Sequence, residues 1–127
     1  MAFLLDTHAL IWAVMDSPDL SKKARKCIIN PENECLYSIV SLLEISIKHS
    51  LGSLEIKTSI EDFFQSIVNL GFAELPVLRE HLLVLNKLEY IHKDPFDRLL
   101  ISQSIYENLT FITKDAIIPK YQINILW

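Results

Sequence analysis

The first fifteen residues, MAFLLDTHALIWAVM (Met1–Met15), decide the fold class. Phe3-Leu4-Leu5 is a short apolar run that ends at Asp6, which is typical of a buried strand. The residues from His8 to Met15 continue as an apolar helix. A buried strand followed at once by a helix is the repeating unit of a parallel α/β sheet.

The same alternation continues along the rest of the chain. Four further short strands are predicted at Cys35–Tyr37, Phe72–Leu75, Leu109–Thr113 and Ile123–Trp127. Five further helices are predicted at about 21–29, 38–51, 60–70, 77–88 and 94–107, with Gly52 and Gly71 ending two of them. This pattern predicts a three-layer α/β/α fold with a central, mostly parallel sheet of about four or five strands. Because no repeat, linker or change of composition interrupts it, we expect one domain over residues 1–127.

The composition excludes several classes of protein. Half of the residues are apolar and only two are Gly, so the chain is not disordered. Charges break the apolar runs before they could cross a bilayer, and the first residues lack the basic segment of a signal peptide, so a cytoplasmic protein is expected. Cys27 and Cys35 lie outside any CxxC spacing, which favours reduced, partly buried thiols over a disulfide or a metal site.

The formal net charge of −4 limits how this protein could bind nucleic acid. Binding through phosphate neutralisation alone usually needs a basic surface. Any nucleic-acid activity must therefore use local basic residues, or cations held by the chain's own carboxylates. The positive mean hydropathy (+0.26) of so small a chain also indicates apolar surface left for a partner.

Two acids follow predicted strands. Asp6 comes directly after the first strand, and Asp115 lies two residues beyond the fourth. Functional sites in parallel sheets gather beyond the carboxyl ends of the strands, which favours a shared site. Helix N-capping, a role in which Asp is preferred, explains either acid alone equally well.

Glu44 lies within a largely apolar helical stretch. Lys48, four residues later, would pair with it on a surface helix. Val40, Leu43 and Ile47, however, lie on the same side of the helix as Glu44. A carboxylate among such neighbours is expected at the rim of the core, where its charge is costly unless it is paired or bound to a metal. This placement favours a functional role.

Asp97 has a similar pair of interpretations. In Asp94-Pro95-Phe96-Asp97, Asp94 is a natural N-cap, Pro95 suits the first helical position, and Asp97 is a first-turn acid that the helix dipole favours. Asp97 also shares a face with Leu100 and Ile101, at spacings of three and four. That face is the predicted buried one, so the cap explains Asp94 better than it explains Asp97.

Four acids from four distant segments indicate a site for a hard cation. Clustered carboxylates repel one another, and at neutral pH they stay ionised only around cations. Ligands that are all oxygen favour Mg²⁺ or Mn²⁺ over zinc. The usual chemistry of such a site is phosphodiester hydrolysis, in which the metal lowers the pKa of an attacking water and neutralises developing charge.

At this point the sequence resembles the PIN domains, specifically the VapC-type toxins of bacterial toxin–antitoxin pairs. The resemblance covers the whole chain in order. It is carried by Leu5–Trp12, Ser41–Lys48, Leu51–Leu54, His92–Gln103, Thr113–Asp115 and Ile125–Trp127. One departure is Leu43, where many relatives have Trp before the glutamate, and it concerns packing rather than a ligand.

The resemblance implies a Mg²⁺- or Mn²⁺-dependent endoribonuclease. Its acidic residues would be Asp6, Glu44, Asp97 and Asp115, with Asp6 and Asp97 as the main metal ligands and the other two completing the site. It further implies that the hydroxyls of Thr7 and Thr113 support the site and that Arg98 contacts a phosphate or a carboxylate. An exposed arginine in the first turn of a helix is, however, more often only solvated. For His8 and Trp12, which belong to the same motif, packing is expected.

The resemblance also implies partners, which are an RNA substrate, a cognate antitoxin and a second copy of the chain in a homodimer.

Other families fit the sequence less well. Haloacid-dehalogenase phosphotransfer enzymes need a second Asp where His8 stands, and receiver domains need paired early acids that this chain lacks. The remaining alternative is a non-catalytic PIN-like module that binds RNA or protein. Four intact acids argue against it, because a site that no longer cuts need not keep them.

Overall fold

A computed structural model describes all residues from Met1 to Trp127, and its five strands form one parallel sheet. The strands are β1 (Ala2–Leu5), β2 (Glu34–Ser38), β3 (Ala73–Leu75), β4 (Thr110–Ile112) and β5 (Ile125–Leu126). The helices are α1 (Thr7–Val14), α2 (Lys22–Ile29), α3 (Ile39–Ser50), α4 (Ile60–Asn69), α5 (Arg79–Lys87) and α6 (Pro95–Tyr106), with a short 3-10 helix at Ile118–Tyr121. None of these helices combines the length and the apolar character needed to cross a membrane.

The order of the strands places β1 at the centre of the sheet. That order is β3-β2-β1-β4-β5, so the chain builds outward from β1 on one side and then returns to add β4 and β5 on the other. All four pairings are parallel. The carboxyl ends of β1 and β4 therefore lie side by side where the winding reverses, which is where α/β sheets bind ligands. The amide of Asp6 donates to the carbonyl of Ile112 at 3.0 Å across this junction.

Apolar side chains cover both faces of the sheet. Phe3 and Leu5 of β1 enter one buried cluster with Leu10 of α1. Leu4 points to the opposite face, where it joins a second cluster with Leu100 of α6. Successive residues of a strand point to opposite faces, so an unbroken apolar run such as that of β1 is buried on both sides. The predicted three-layer α/β/α architecture is confirmed.

Side-chain caps explain where most of the helices begin. Five helices have an N-cap residue whose side-chain oxygen accepts a hydrogen bond from the first turn, and these caps are Asp6, Ser21, Ser38, Ser59 and Asp94. Each cap stabilises its helix by about 1 kcal/mol. The glycines predicted to end α3 and α4, Gly52 and Gly71, have φ values of +74° and +78°, which residues with a Cβ rarely adopt.

The predicted strand at Ile123–Trp127 is shortened to Ile125–Leu126, and two further differences arise from tertiary contacts. Helix α5 begins at Arg79 rather than Val77, because the side chain of His81 turns back and its Nδ1 accepts the amide of Leu78 at 2.9 Å. The 3-10 helix at Ile118–Tyr121 was not predicted. It forms because the side chain of Ile118 is fully buried, while Asp115 accepts the amides of Ile117 and Ile118 at the start of the helix.

Candidate metal centre

Asp6 is held at the junction of β1 and α1. Its side chain is almost fully buried, with 6% of the residue exposed. Oδ1 accepts the amide of Ala9 at 2.7 Å and caps α1, while Oδ2 accepts the hydroxyl of Thr113 at the end of β4. Burial raises the pKa of Asp6, although these two hydrogen bonds act against the rise. Asp6 thus caps α1 and is also bonded to the end of β4, because its two carboxylate oxygens accept different donors.

Glu44 lies on the buried side of α3, with 3% of the residue exposed. Its Oε2 accepts from Nζ of Lys48 at 2.5 Å, which is the helix pair that the sequence suggests. Its Oε1 is buried and has no hydrogen-bond partner. A buried carboxylate oxygen without a partner is costly, and a cation is the group that would satisfy it best.

Asp97 lies in the first turn of α6 and is partly buried. The pKa of Asp97 is raised to about 7, first by burial and then by the negative charges of Asp94, Glu44 and Asp6, against an opposing effect of His92. The neighbouring Asp94 caps α6, because its Oδ1 accepts the amides of Phe96 at 2.8 Å and Asp97 at 3.2 Å. The surroundings of Asp97 therefore disfavour its ionised form.

Asp115 lies just beyond β4 and is held through both oxygens. Oδ1 accepts the amides of Ile117 at 2.7 Å and Ile118 at 3.1 Å, and Oδ2 lies 3.0 Å from Nε2 of His92. Burial alone would raise the pKa of Asp115, but the hydrogen bonds from His92 and from the two amides outweigh it and lower the pKa. This carboxylate is ionised and fixed in orientation.

The structure brings the four sequence-predicted acids together. The charges of Glu44 and Asp6 act on Asp97, and the charge of Asp115 acts on Asp6. Thr113 also joins two of them, because its hydroxyl donates to Asp6 and accepts the amide of Asp115 at 3.0 Å. The acids thus form one connected group at the carboxyl edge of the sheet, as the positions of Asp6 and Asp115 after their strands suggest.

The remaining sequence-predicted residues lie around this group. Thr7 donates to Oγ of Ser41 at 3.0 Å and so connects α1 with α3. Arg98 is directed at the loop before α6, where its guanidinium donates to the carbonyls of Leu88 at 3.3 Å and Glu89 at 3.1 Å and lies 4.8 Å from the ring centre of Tyr90. Its contact with a substrate phosphate stays a prediction.

The two aromatic residues of the first motif differ in their surroundings. Trp12 packs against the core, and its ring centre lies 5.8 Å from that of Trp127, so the expected packing role is confirmed. His8 is exposed and touches only the edge of this packing, with its ring centre 5.7 Å from that of Trp12. Its contact with Trp12 agrees with the expected packing role, although the first turn of α1 leaves His8 on the solvent side.

The sequence analysis missed His92 as a member of the site. Its Nε2 lies 3.0 Å from Asp115 Oδ2 and 3.3 Å from Asp97 Oδ2, and 8% of the residue is exposed. Atoms of these three residues that could bind a metal lie within 4.8 Å of one another. The available signal in the sequence is that His92 lies two residues before Asp94, the N-cap of a helix with an acid in its first turn. A prediction based on carboxylates alone does not include it.

With this geometry established, the chain can be compared with known proteins. A model of the PIN domain family matches residues 3–124. The chain belongs to the PIN domain family. The predicted family is therefore confirmed. A comparison with curated proteins found no match.

Solved structures with the same PIN fold cover nearly the whole chain. VapBC2 of Rickettsia felis, bound to a promoter DNA fragment, is 17% identical with a TM-score of 0.73, over 98% of this chain and 97% of that chain. FitAcB of Neisseria gonorrhoeae is 16% identical with a TM-score of 0.69, over 97% and 95%. VapBC-5 of Mycobacterium tuberculosis, a member of a family of toxin–antitoxin systems, is 15% identical with a TM-score of 0.63, over 98% and 96%. At these identities the similarity shows the fold.

The residues at this edge of the PIN domain fit a hard divalent cation. Glu44 Oε1 is buried without a partner, and the pKa of Asp97 is raised to about 7 by burial and by neighbouring negative charges. A bound cation would stabilise both groups. The available acidic donors are carboxylate oxygens, the ligands that Mg²⁺ and Mn²⁺ prefer.

Replacement of Asp97 by Asn is expected to stabilise the metal-free protein in a pH-dependent way. In the unfolded chain an Asp titrates near 4, whereas in the fold the pKa of Asp97 is about 7, so folding becomes less favourable as the pH rises between these values. Asn does not ionise, and its advantage therefore grows over this range and is constant above it. We expect about 1–2 kcal/mol at pH 8, less than the full pKa difference implies because the side chain is partly exposed.

Urea unfolding in EDTA at pH 4.5 and pH 8 measures this effect. The exposed acid Asp19, replaced by Asn, is the control, since it changes the net charge equally and has no side-chain partner in the structure. Equal unfolding free energies of wild type and Asp97→Asn at pH 8 would show that the charge of Asp97 is compensated within the fold.

Proposed function

We propose that this PIN domain is a Mg²⁺- or Mn²⁺-dependent endoribonuclease that acts as the toxin of a toxin–antitoxin pair in the cytoplasm. The observation that carries the nuclease proposal is the cluster of four acids with one buried oxygen, Glu44 Oε1, left without a partner. A carboxylate cluster of this kind suits phosphodiester hydrolysis, in which negative charge must be neutralised on the reacting phosphate.

The proposed site divides the work among the four acids. Asp6 and Asp97 are the main ligands, and Glu44 and Asp115 complete the site. The bound metal would supply Lewis acidity, which lowers the pKa of an attacking water and neutralises charge on the phosphate. Thr113 would orient Asp6 through the hydrogen bond between them. Thr7 would support α3 near Glu44 through its contact with Ser41.

Local basic residues would have to hold the RNA, because the net charge of −4 gives no general attraction to phosphate. Lys48 is the nearest to the acids, and its side chain is 40% exposed. Its pKa is raised, chiefly by the hydrogen bond to Glu44, so it carries its charge at any physiological pH. Lys93, exposed beside His92, is a second candidate, and Arg98 a third.

The toxin role and the partners rest on the similarity to solved VapBC structures and on the apolar surface. Those structures include one described as a member of a toxin–antitoxin family. Leu43, Leu51 and Leu83 are each more than half exposed, and this apolar surface is available to a partner. A cognate antitoxin and a second copy of the chain, forming a homodimer, are the partners that we propose.

A cleavage assay on the purified protein tests this function against the alternative of a binding module. End-labelled RNA of mixed sequence is incubated with the protein and Mg²⁺, and both products and retarded complexes are examined. A nuclease yields shortened RNA with turnover, and addition of the antitoxin encoded beside the protein should suppress it. Retarded RNA without products at any protein concentration would support the non-catalytic module instead.

A further inference from the structure

His92 occupies a fixed position between two elements that carry acids. The residue is buried, and it lies in the loop between α5 and α6. Its main-chain amide donates to the hydroxyl of Tyr121 at 2.6 Å, which holds the loop against the 3-10 helix. One ring nitrogen, Nδ1, accepts the amide of Asp94 at 3.1 Å. The other, Nε2, faces Oδ2 of both Asp115 and Asp97.

The amide of Asp94 decides which ring nitrogen carries the hydrogen. A backbone N–H can only donate, so Nδ1 must present its lone pair, and the hydrogen of the neutral ring lies on Nε2. Two carboxylate oxygens at 3.0 and 3.3 Å are acceptors suited to that N–H. Metal binding through Nε2 would need the lone pair there instead, and it would leave the amide of Asp94 without its acceptor, at a cost typical of an unpaired backbone group.

We propose that His92 is a positioning residue that orients Asp115 and Asp97 for the cation through its Nε2–H group, and that it is not itself a metal ligand. This inference rests on the proposed metal-dependent function. With Oδ1 of Asp115 held by the amides of Ile117 and Ile118, the imidazole fixes the second oxygen and so removes the rotation of that carboxylate. The same N–H lies against Oδ2 of Asp97, so it bridges two acids that would otherwise repel each other.

Two substitutions separate donation from ligation. In His92→Gln the side-chain amide can still donate to Asp115, whereas in His92→Phe the ring keeps its approximate size and loses both nitrogens. Residues that orient metal ligands typically change metal affinity or activity about 10- to 100-fold when they are replaced. We expect His92→Phe to weaken Mn²⁺ binding about 10-fold and His92→Gln to recover most of that loss. His49→Gln, at a histidine without a side-chain hydrogen bond, is the matched control.

Electron paramagnetic resonance of Mn²⁺ in the absence of RNA gives the affinities and also tests ligation directly. Spin-echo modulation should lack the strong coupling that a directly bound imidazole ¹⁴N produces. A strong coupling in the wild type that disappears in His92→Gln would overturn the proposal in favour of ligation. Equal Mn²⁺ affinity of wild type and both folded variants would overturn it in favour of a purely structural role.

The ring hydrogen can be located without any metal. Long-range ¹H–¹⁵N correlation spectra of the metal-free protein at pH 8 should show His92 with its hydrogen on Nε2. A hydrogen on Nδ1 would overturn the inference about His92 while leaving the nuclease proposal standing. Failure of the wild type to bind Mn²⁺ would instead overturn the proposed function, and with it the positioning role.

Discussion

Replacement of Asp6 by Asn is expected to reduce RNA cleavage at least about 100-fold while the protein stays folded. The loss follows from removing a charged ligand at the point where β1 and β4 meet. The fold should persist because Asn is as good an N-cap as Asp, so the bond from the amide of Ala9 to Oδ1 can be kept. The hydroxyl of Thr113 can accept from the new amide group, since a hydroxyl both donates and accepts.

Steady-state cleavage of a labelled RNA, together with circular dichroism of the same preparations, measures both parts of this expectation. Asp97→Asn should lose activity to a similar degree although it is expected to be the more stable protein. Asp19→Asn should behave like the wild type in both measurements. Full activity of Asp6→Asn would exclude it as an essential ligand, whereas an unfolded Asp6→Asn protein would make helix capping its main role.

Treatment with EDTA is expected to abolish cleavage, and Mg²⁺ or Mn²⁺ is expected to restore it. Carboxylate oxygens are hard ligands, and such sites favour Mg²⁺ and Mn²⁺ over softer ions. In the metal-free protein, burial and the negative charges of neighbouring acids raise the pKa of Asp97. The metal would supply the positive charge that the reaction needs.

Dialysis against EDTA, followed by addition of single metal salts, separates loss of metal from loss of fold. Thermal unfolding of the apoprotein before and after Mg²⁺ addition serves as the control, because a ligand that binds only the folded state raises its stability. Restoration by Zn²⁺ but by neither Mg²⁺ nor Mn²⁺ would contradict the prediction and would point to nitrogen ligation.

The sequence predicts the elements of the sheet well because burial on both faces leaves a simple signal. Phe3-Leu4-Leu5 has no polar residue and ends at Asp6, so the strand, its end and the acid are all visible in four residues. The convergence of Asp6 and Asp115 follows from the same logic, since parallel strands end at one edge. Glu44 could be placed at the rim of the core from its apolar neighbours in the helix.

Features that depend on contacts between distant segments could not be predicted in this way. The role of His92 depends on Asp115, which lies 23 residues later, and on an amide that fixes its ring. Arg98 looks like a solvated or phosphate-binding residue in the sequence, but its partners are carbonyls of a loop about ten residues earlier. The start of α5 likewise depends on a side chain of His81 that bonds back to Leu78.

The pairing of β1 with β4 has a consequence for the synthesis of the protein. During translation, β1 has no neighbour on its β4 side until residues 110–112 have been made. The hydroxyl that donates to Asp6 belongs to Thr113, which lies 107 positions later. Contacts of such long sequence separation can form only after both segments have been made. A nascent chain that stops before β4 lacks Thr113 and Asp115 altogether, so an interrupted translation product carries only an incomplete set of acids. The site that we propose is therefore complete only when almost the whole chain has been made.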